Sequence, residues 1–283
     1  MGIKKLSLTL NAFDASELLF DLITEIRDQV DHVAAIYQRK SYWGNPMAAE
    51  DMEELLRLQK LGLIDELIEF EGNTLKYSRE QECDKRNMGI ERMKQNGSSH
   101  VLNIDADEFY DKDQFKYAIN LINKRGFPIT YCSYVNYYKD FEHYLVYPFR
   151  PFVPFVHSTF FNYTYQGPAP GPTDPTRRIK NPSNLGTYIF EDHEIRMNHL
   201  AWVRKDIRKK LVNWSAKNHF KPELIDEAVK RWETWKEGEN AIMLFNVPDH
   251  NVVVKKLKKR ITNINIDWVE KNMIEWKKKN GYV

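Results

Sequence analysis

The sequence predicts an α/β fold, a mixed and mostly parallel sheet flanked by helices and followed by a C-terminal helical appendage. Two observations predict it. Short apolar runs alternate with amphipathic ones through the first half of the chain, the pattern left by strands joined through helical crossovers. From Trp202 onward the apolar period turns helical, with Trp202, Ile207, Leu211 and Trp214 in one stripe, Leu224, Ala228, Val229 and Trp232 in a second, and Trp268, Val269, Met273, Ile274 and Trp276 in a third. The expected division is therefore a sheet domain over 1–200 and a helical region over 201–283 packed on it.

Taken in order, 3–11 reads as the first strand, and Asp14 with Glu17 offers a cap for a helix carrying Leu18, Leu19, Leu22, Ile23, Ile26 and Val30. The second strand is 32–38. Asn45 and Pro46 supply a cap and first-turn proline for a helix that Gly62 closes. The third strand is 64–70, and Ser78 with Gln81 opens a helix running to Asn96. On it Arg79, Cys83, Arg86, Ile90 and Met93 share one stripe, so two arginines lie on the face due to meet the sheet. The fourth strand ends in HVLNIDADEFY, 100–110, and Asp111 with Gln114 caps a helix whose Phe115, Ala118, Ile119 and Ile122 face inward. A β-rich aromatic run begins at Phe127, and the proline- and glycine-rich segment 165–178 forbids helix and strand, which makes it a long loop.

Across 283 residues, 42% hydrophobic and 29% charged content excludes a disordered chain. No apolar run approaches the roughly 20 residues that span a bilayer, and the N-terminus is unlike a secretory signal, so the expectation is a cytoplasmic protein. Cys83 and Cys132 lack metal-type spacing and read as reduced core thiols. The net charge of +2 is uneven: 201–283 holds 19 Lys/Arg against 11 Asp/Glu, leaving −6 on the first 200 residues. A basic end suits an anionic partner such as a membrane surface, nucleic acid or phosphorylated substrate, or else a set of solvated helix faces.

Asp105, Asp107 and Glu108 crowd one strand end, where they repel each other. Ligands of open α/β sheets bind beyond such ends. Residues two apart on an extended segment point the same way, so Asp105 and Asp107 can converge while Ala106 lets the backbone turn. Two hard oxygen donors suit Mg²⁺ or Mn²⁺, ions that keep open positions for the oxygens of a diphosphate.

The D-A-D-E-F stretch, with R-E-x-x-x-x-K-R-N-x-G at 79–89, resembles the glycosyltransferases of the GT-A fold, in particular family-2-like members with a D-x-D-E-F motif. The likeness runs from about residue 3 to 200. It implies a nucleoside diphosphate sugar as donor, a UDP-sugar first, with Mn²⁺ or Mg²⁺ as cofactor. Asp105 and Ala106 are then expected at the nucleotide and Asp105 and Asp107 at the metal. Leu10, Asn11, Gln38 and Arg39 are expected at the base, and Arg79, Lys85, Arg86 and Asn87 nearby. His199 is the expected far-side metal ligand, with His193 its competitor, and Arg204 and Lys205 a turn later could neutralise a leaving diphosphate. Glu191 and Asp192 occupy the region of the family's catalytic base, Asp192 preferred; inversion and retention both stay open. The chain departs from the family pattern at Asn11 with Asp14 and at Gln38-Arg39, where acidic residues are usual, which leaves the base preference open.

Two other functions fit parts of this pattern. A nucleotidyl or phosphoryl transferase also holds metals at acidic strand ends. A non-enzymatic module could use the C-terminal Lys, Arg and Trp residues on nucleic acid or polysaccharide. The acceptor of a transferase could be a glycan or an anionic polymer such as DNA, with Tyr163, Tyr165 and Arg177 in the acceptor region; the sequence leaves oligomeric state open.

Overall fold

The structure is a computed structural model, and it describes residues 2–14, 16–73, 75–179, 186–242, 244 and 251–257. The third tryptophan stripe, 268–276, lies outside the described residues. Strands β1 (Leu6–Ala12), β2 (His32–Tyr37), β3 (Glu66–Glu69) and β4 (His100–Asp105) form a parallel set in the order β3-β2-β1-β4. Helices α1 (Ser16–Ile26), α2 (Ala49–Lys60) and α3 (Ser78–Gln95) make the crossovers. Beyond β4 the sheet turns mixed. β8 (Phe152–Ser158) runs antiparallel between β4 and β6 (Ile129–Tyr138), and α4 (Lys112–Arg125) precedes β6. Strand β12 (Arg196–Trp202) lies between β6 and the short β5 (Glu108–Tyr110). The small strands β9 (Tyr163–Thr164) and β10 (Arg178–Ile179) pair with each other, and β11 (Thr187–Ile189) joins the edge of β6.

Strand alternation sets the two layers. In β1, Leu6, Leu8 and Leu10 face a core shared with Leu18, Leu22 and Ile23 of α1 and Phe115, Ala118 and Ile122 of α4. The opposite face meets α3 through an apolar cluster, Ala34, Ile36 and Val101 against Cys83, Ile90 and Met93, and through buried polar residues. Asn103 donates to the Thr9 hydroxyl at 2.7 Å and accepts from Arg86 at 2.8 Å. A Cβ on Gly89 would stand 3.1 Å from the Thr9 methyl and 3.2 Å from Ile36, so the missing side chain is what lets α3 sit this close to the sheet.

Three helix starts differ in their caps. Asp111 caps α4 as expected, accepting from Gln114 N–H at 2.9 Å. Helix α1 begins at Ser16, and Asp14 is drawn aside, accepting from Asn213 at 3.3 Å. Helix α2 begins at Ala49 with no side-chain cap, because Asn45 donates instead to the Asn213 side chain at 2.9 Å. Long-range polar partners outcompete the local caps at both places. Gly62, at φ +73°, closes α2, and both cysteines are free and buried.

The region after 201 is not helical throughout. Helices α5 (Ile207–Asn213) and α6 (Pro222–Thr234) are followed by β13 (Ala241–Ile242) and β14 (Asn251–Lys256). β14 pairs antiparallel with β7 (His143–Val146), so the start of the KKLKKR run is the end of a sheet strand; the rest of that run, beyond 257, lies outside the described residues. Trp202, Ile207, Leu211, Val229 and Trp232 form a second core with Tyr138 and Leu145. No helix among the described residues is long and apolar enough to cross a membrane.

Candidate active site

In the parallel set, β1 is the strand from which the order runs to β2 on one side and to β4 on the other. The crevice opened by such a reversal, beyond the carboxyl ends of the strands, is where α/β sheets take ligands. A cleft of about 550 Å³ lies there, lined by Asn11 and Asp14 after β1, Gln38 after β2, and Asp105, Ala106, Asp107 and Glu108 after β4. Arg79 and Lys85 reach it from α3, His199 from β12, Arg204 from the segment leading into α5, and Lys210 from α5 itself.

The repulsion among the three carboxylates is answered by arginine and lysine. Asp105 is gripped by two guanidinium groups. Arg86, fully buried, contacts it at 2.9 Å while also holding Glu82 at 2.7 Å. Arg177 reaches it from the proline-rich loop and forks onto Glu108 at 2.7 and 2.5 Å. Burial pushes the Asp105 carboxyl up, but Arg177 and Arg86 outweigh it and hold the group well below the ordinary carboxylate range. Glu108, 2% exposed, moves the other way, its burial outweighing Arg177.

Asp107 faces a different set. One carboxylate oxygen takes Lys210 at 2.5 Å together with Arg204, and the other lies 3.4 Å from His199 Nε2. Lys210 and Arg204 overcome the burial of Asp107 and hold its pKa well below the usual value. His199 arrives on β12 in register with Glu108 of β5 and Asn136 of β6, and its Nδ1 is buried with no hydrogen-bond partner among the described residues.

This geometry tests whether a metal fits. Two cis ligands at about 2.1 Å from a hard octahedral ion lie about 3 Å apart, so Asp107 Oδ1 and His199 Nε2 can share one ion. Among the described residues no three His, Cys, Asp or Glu side chains converge to hold an ion alone. Water and ligand oxygens would complete the sphere, the usual arrangement for an ion bound by one or two protein groups plus phosphates.

The other expected site residues divide. Asn11 donates to Asp105 at 3.2 Å, and Asn11 Oδ1 and Gln38 Oε1 are buried acceptors with no donor among the described residues. Lys85 donates to the Ala12 carbonyl at 3.1 Å, and burial pulls its pKa down to about 7. Asp14 is pushed up to about 6 by burial. Leu10 is fully buried in the core, and Arg39 is turned to Glu69 at 2.9 Å. Asn87 exchanges hydrogen bonds with the Tyr163 backbone at 2.8 and 3.0 Å, which pins β9 to α3. Glu191 and Asp192 are not among the cleft-lining residues; they sit at the mouth of β11 on Arg150, Asp192 at 2.6 Å and also bonded to Ser133. His193 and Lys205 are likewise outside the lining. Sequence reasoning passed over Lys210 and Asp174, both of which line the cleft; their signal was only an ordinary helix lysine and a loop aspartate.

No family model matches this sequence, and no curated protein is found similar to it. Among solved structures, a Staphylococcus aureus TarS fragment is similar at TM-score 0.41 and 11% identity, over 83% of this chain and 73% of that one. GalNAc-T7, in a structure with UDP, GalNAc and Mn²⁺, is similar at TM-score 0.42 and 12% identity, over 80% of this chain and 48% of that one. The first match, to a longer TarS chain, has TM-score 0.32 and 17% identity over 48% of this chain, and the aligned part spans 21% of that protein.

Proposed function

We propose that this chain is a metal-dependent glycosyltransferase that moves a sugar from a nucleoside diphosphate sugar to a hydroxyl acceptor. One observation carries the reading: Asp105 and Asp107 stand side by side at the reversal point of the parallel set, yet face opposite groups. Asp107, with His199, has the donor chemistry for Mn²⁺ or Mg²⁺. Asp105, held ionised by Arg86 and Arg177 and bonded to Asn11, suits the ribose hydroxyls. When bound, the cation would neutralise charge developing on the departing diphosphate. Lys85 and Arg79, on the α3 wall, suit the same diphosphate.

Thermal-shift titration with UDP, GDP and CDP, with and without Mn²⁺, tests the reading, since a ligand that binds only the folded chain raises its melting temperature. At least one diphosphate should stabilise the protein more with Mn²⁺ than without; no shift with any of them would end the proposal. Lys85 adds a pH signature. It is charged below about 7, so affinity for the diphosphate should fall as pH rises through about 7, and Lys85→Met should flatten that dependence.

Transfer with inversion needs a carboxylate to take the acceptor proton. Both carboxylates are hydrogen-bonded, Asp174 by Thr176 and Asp192 by Ser133 and Arg150, but only Asp174 lines the cleft, which supports Asp174. The true base is the residue whose change to Asn stops transfer and spares nucleotide binding. Loss of transfer in Asp192→Asn alone would return the role to the FEDHE segment.

A further inference from the structure

We propose that the part of the cleft beyond His199 is an acceptor subsite for a neutral pyranose, with Tyr147 and Phe149 as its stacking platform and Asn136 as its polar anchor. The proposal rests on the glycosyltransferase reading for the word acceptor; the binding surface itself is built from other residues.

Asn136 supplies the first observation. It lines the cleft, is 7% exposed, and spends its amide N–H on the Tyr147 hydroxyl at 2.6 Å. Its Oδ1 is buried and has no donor among the described residues. A buried acceptor left unpaired costs free energy, and a ligand hydroxyl entering the cleft would relieve it.

The platform is the second observation. The rings of Tyr147 and Phe149 stack on each other, 5.5 Å apart at 19°, and both are half-buried on the cleft wall, so the outer face of the pair is an apolar ring surface braced from behind. A pyranose in its chair form matches this pairing: C–H bonds cover its face, and hydroxyls ring its edge. One face can rest on an aromatic ring while an edge hydroxyl donates to Asn136.

The subsite also touches the reacting region. Tyr134, two residues before Asn136 on the same face of β6, stands edge-on to the His199 ring at 5.9 Å and 82°. Asn136 and His199 are direct partners in the β6–β12 register. A sugar on the platform therefore turns its edge toward His199 and Asp107.

Charge argues for a neutral sugar over an anionic polymer. Three of the cleft's cations are committed to carboxylates, Arg177 to Asp105 and Glu108, and Arg204 and Lys210 to Asp107, while Arg178 donates to the Gly167 and Thr173 carbonyls. Asp174, acting electrostatically on Tyr134, adds negative charge to the same wall.

Saturation-transfer NMR on the full chain tests this with the methyl pyranosides of glucose, galactose, mannose and N-acetylglucosamine, and with sn-glycerol 3-phosphate as the anionic probe. At least one methyl pyranoside should bind saturably, and Tyr147→Leu and Asn136→Ala should each weaken it about tenfold. Tyr147→Phe, which keeps the ring, should retain most of the affinity and shows that the fold survives change at this position. The proposal is overturned if no methyl pyranoside binds, if only glycerol phosphate binds, or if the Leu and Ala variants bind like the parent. UDP with Mn²⁺ is titrated separately: UDP binding without sugar binding sinks the subsite and spares the transferase reading, and sugar binding without UDP binding does the reverse.

Discussion

Asp107→Asn is expected to lower transfer by about 10³-fold or more, because a bound cation supplies several kcal/mol of charge stabilisation and Asp107 is its only carboxylate ligand in the proposed site. The substitution keeps the shape and removes the charge. Its second effect is on the fold. Arg204, 3% exposed at its side chain, and Lys210 lose the anion they share, and Arg204 keeps only the more distant Glu17 at 3.9 Å; removing one partner of a buried ion pair typically costs about 3–5 kcal/mol, an upper bound here. The two effects separate by pH. In the parent protein the Asp107 pKa is depressed below its ordinary 3.8, so its contribution to stability is present above that value and is lost as pH falls through the folded value. The Asn variant should be the less stable at neutral pH, and the gap should close under acid conditions. Melting curves across pH give the stability part, and transfer assayed well below the melting temperature gives the catalytic part. A variant that still bound UDP with undiminished Mn²⁺ dependence would remove Asp107 from the metal site.

What was legible in the sequence is what local pattern encodes. β1 to β4 and their helices each carry their own periodicity, and the acidic strand end is visible as a cluster of neighbours. The Arg86 stripe was legible as an anomaly; its explanation, Asn103 and Asp105 on β4 and Glu82 one turn back, needed the packed sheet. Other features had no local signature. Arg204 and Lys210 reach Asp107 from 97 and 103 residues away. The cap expected at Asp14 failed because Asn213, 199 residues on, holds its carboxylate, and Arg204 its carbonyl. The β14 strand was hidden because NVVVKK precedes a basic run, and its partner β7 lies more than 100 residues earlier. Residues that neutralise one another across the sheet look, along the chain, like ordinary surface charges.

The most consequential of these long-range partners is Arg177, and Arg177→Met should destabilise the fold by about 3–5 kcal/mol, or on the order of 10 °C in Tm. The guanidinium is 3% exposed at its side chain and neutralises two carboxylates, Asp105 and the 2%-exposed Glu108. It also ties the proline-rich loop to the strand-end carboxylates, alongside the β9–β10 ladder and the backbone contact of Pro172 and Thr173 with Phe152 of β8. Removing it leaves Glu108 buried without its counter-charge, so a carboxyl already raised above its ordinary 4.5 by burial rises further. A carboxyl raised in the folded state contributes stability below its unfolded value and loses it as pH rises through the folded one. The deficit of Arg177→Met should therefore be small in acid and widen toward neutral pH. Adding Glu108→Gln removes the stranded charge and should recover part of the loss, a coupling that a double-mutant cycle measures directly. If the single variant melted like the parent at every pH, or Glu108→Gln failed to rescue it, the loop would owe its position to packing, and the carboxylates at the strand end would need some other source of neutralisation.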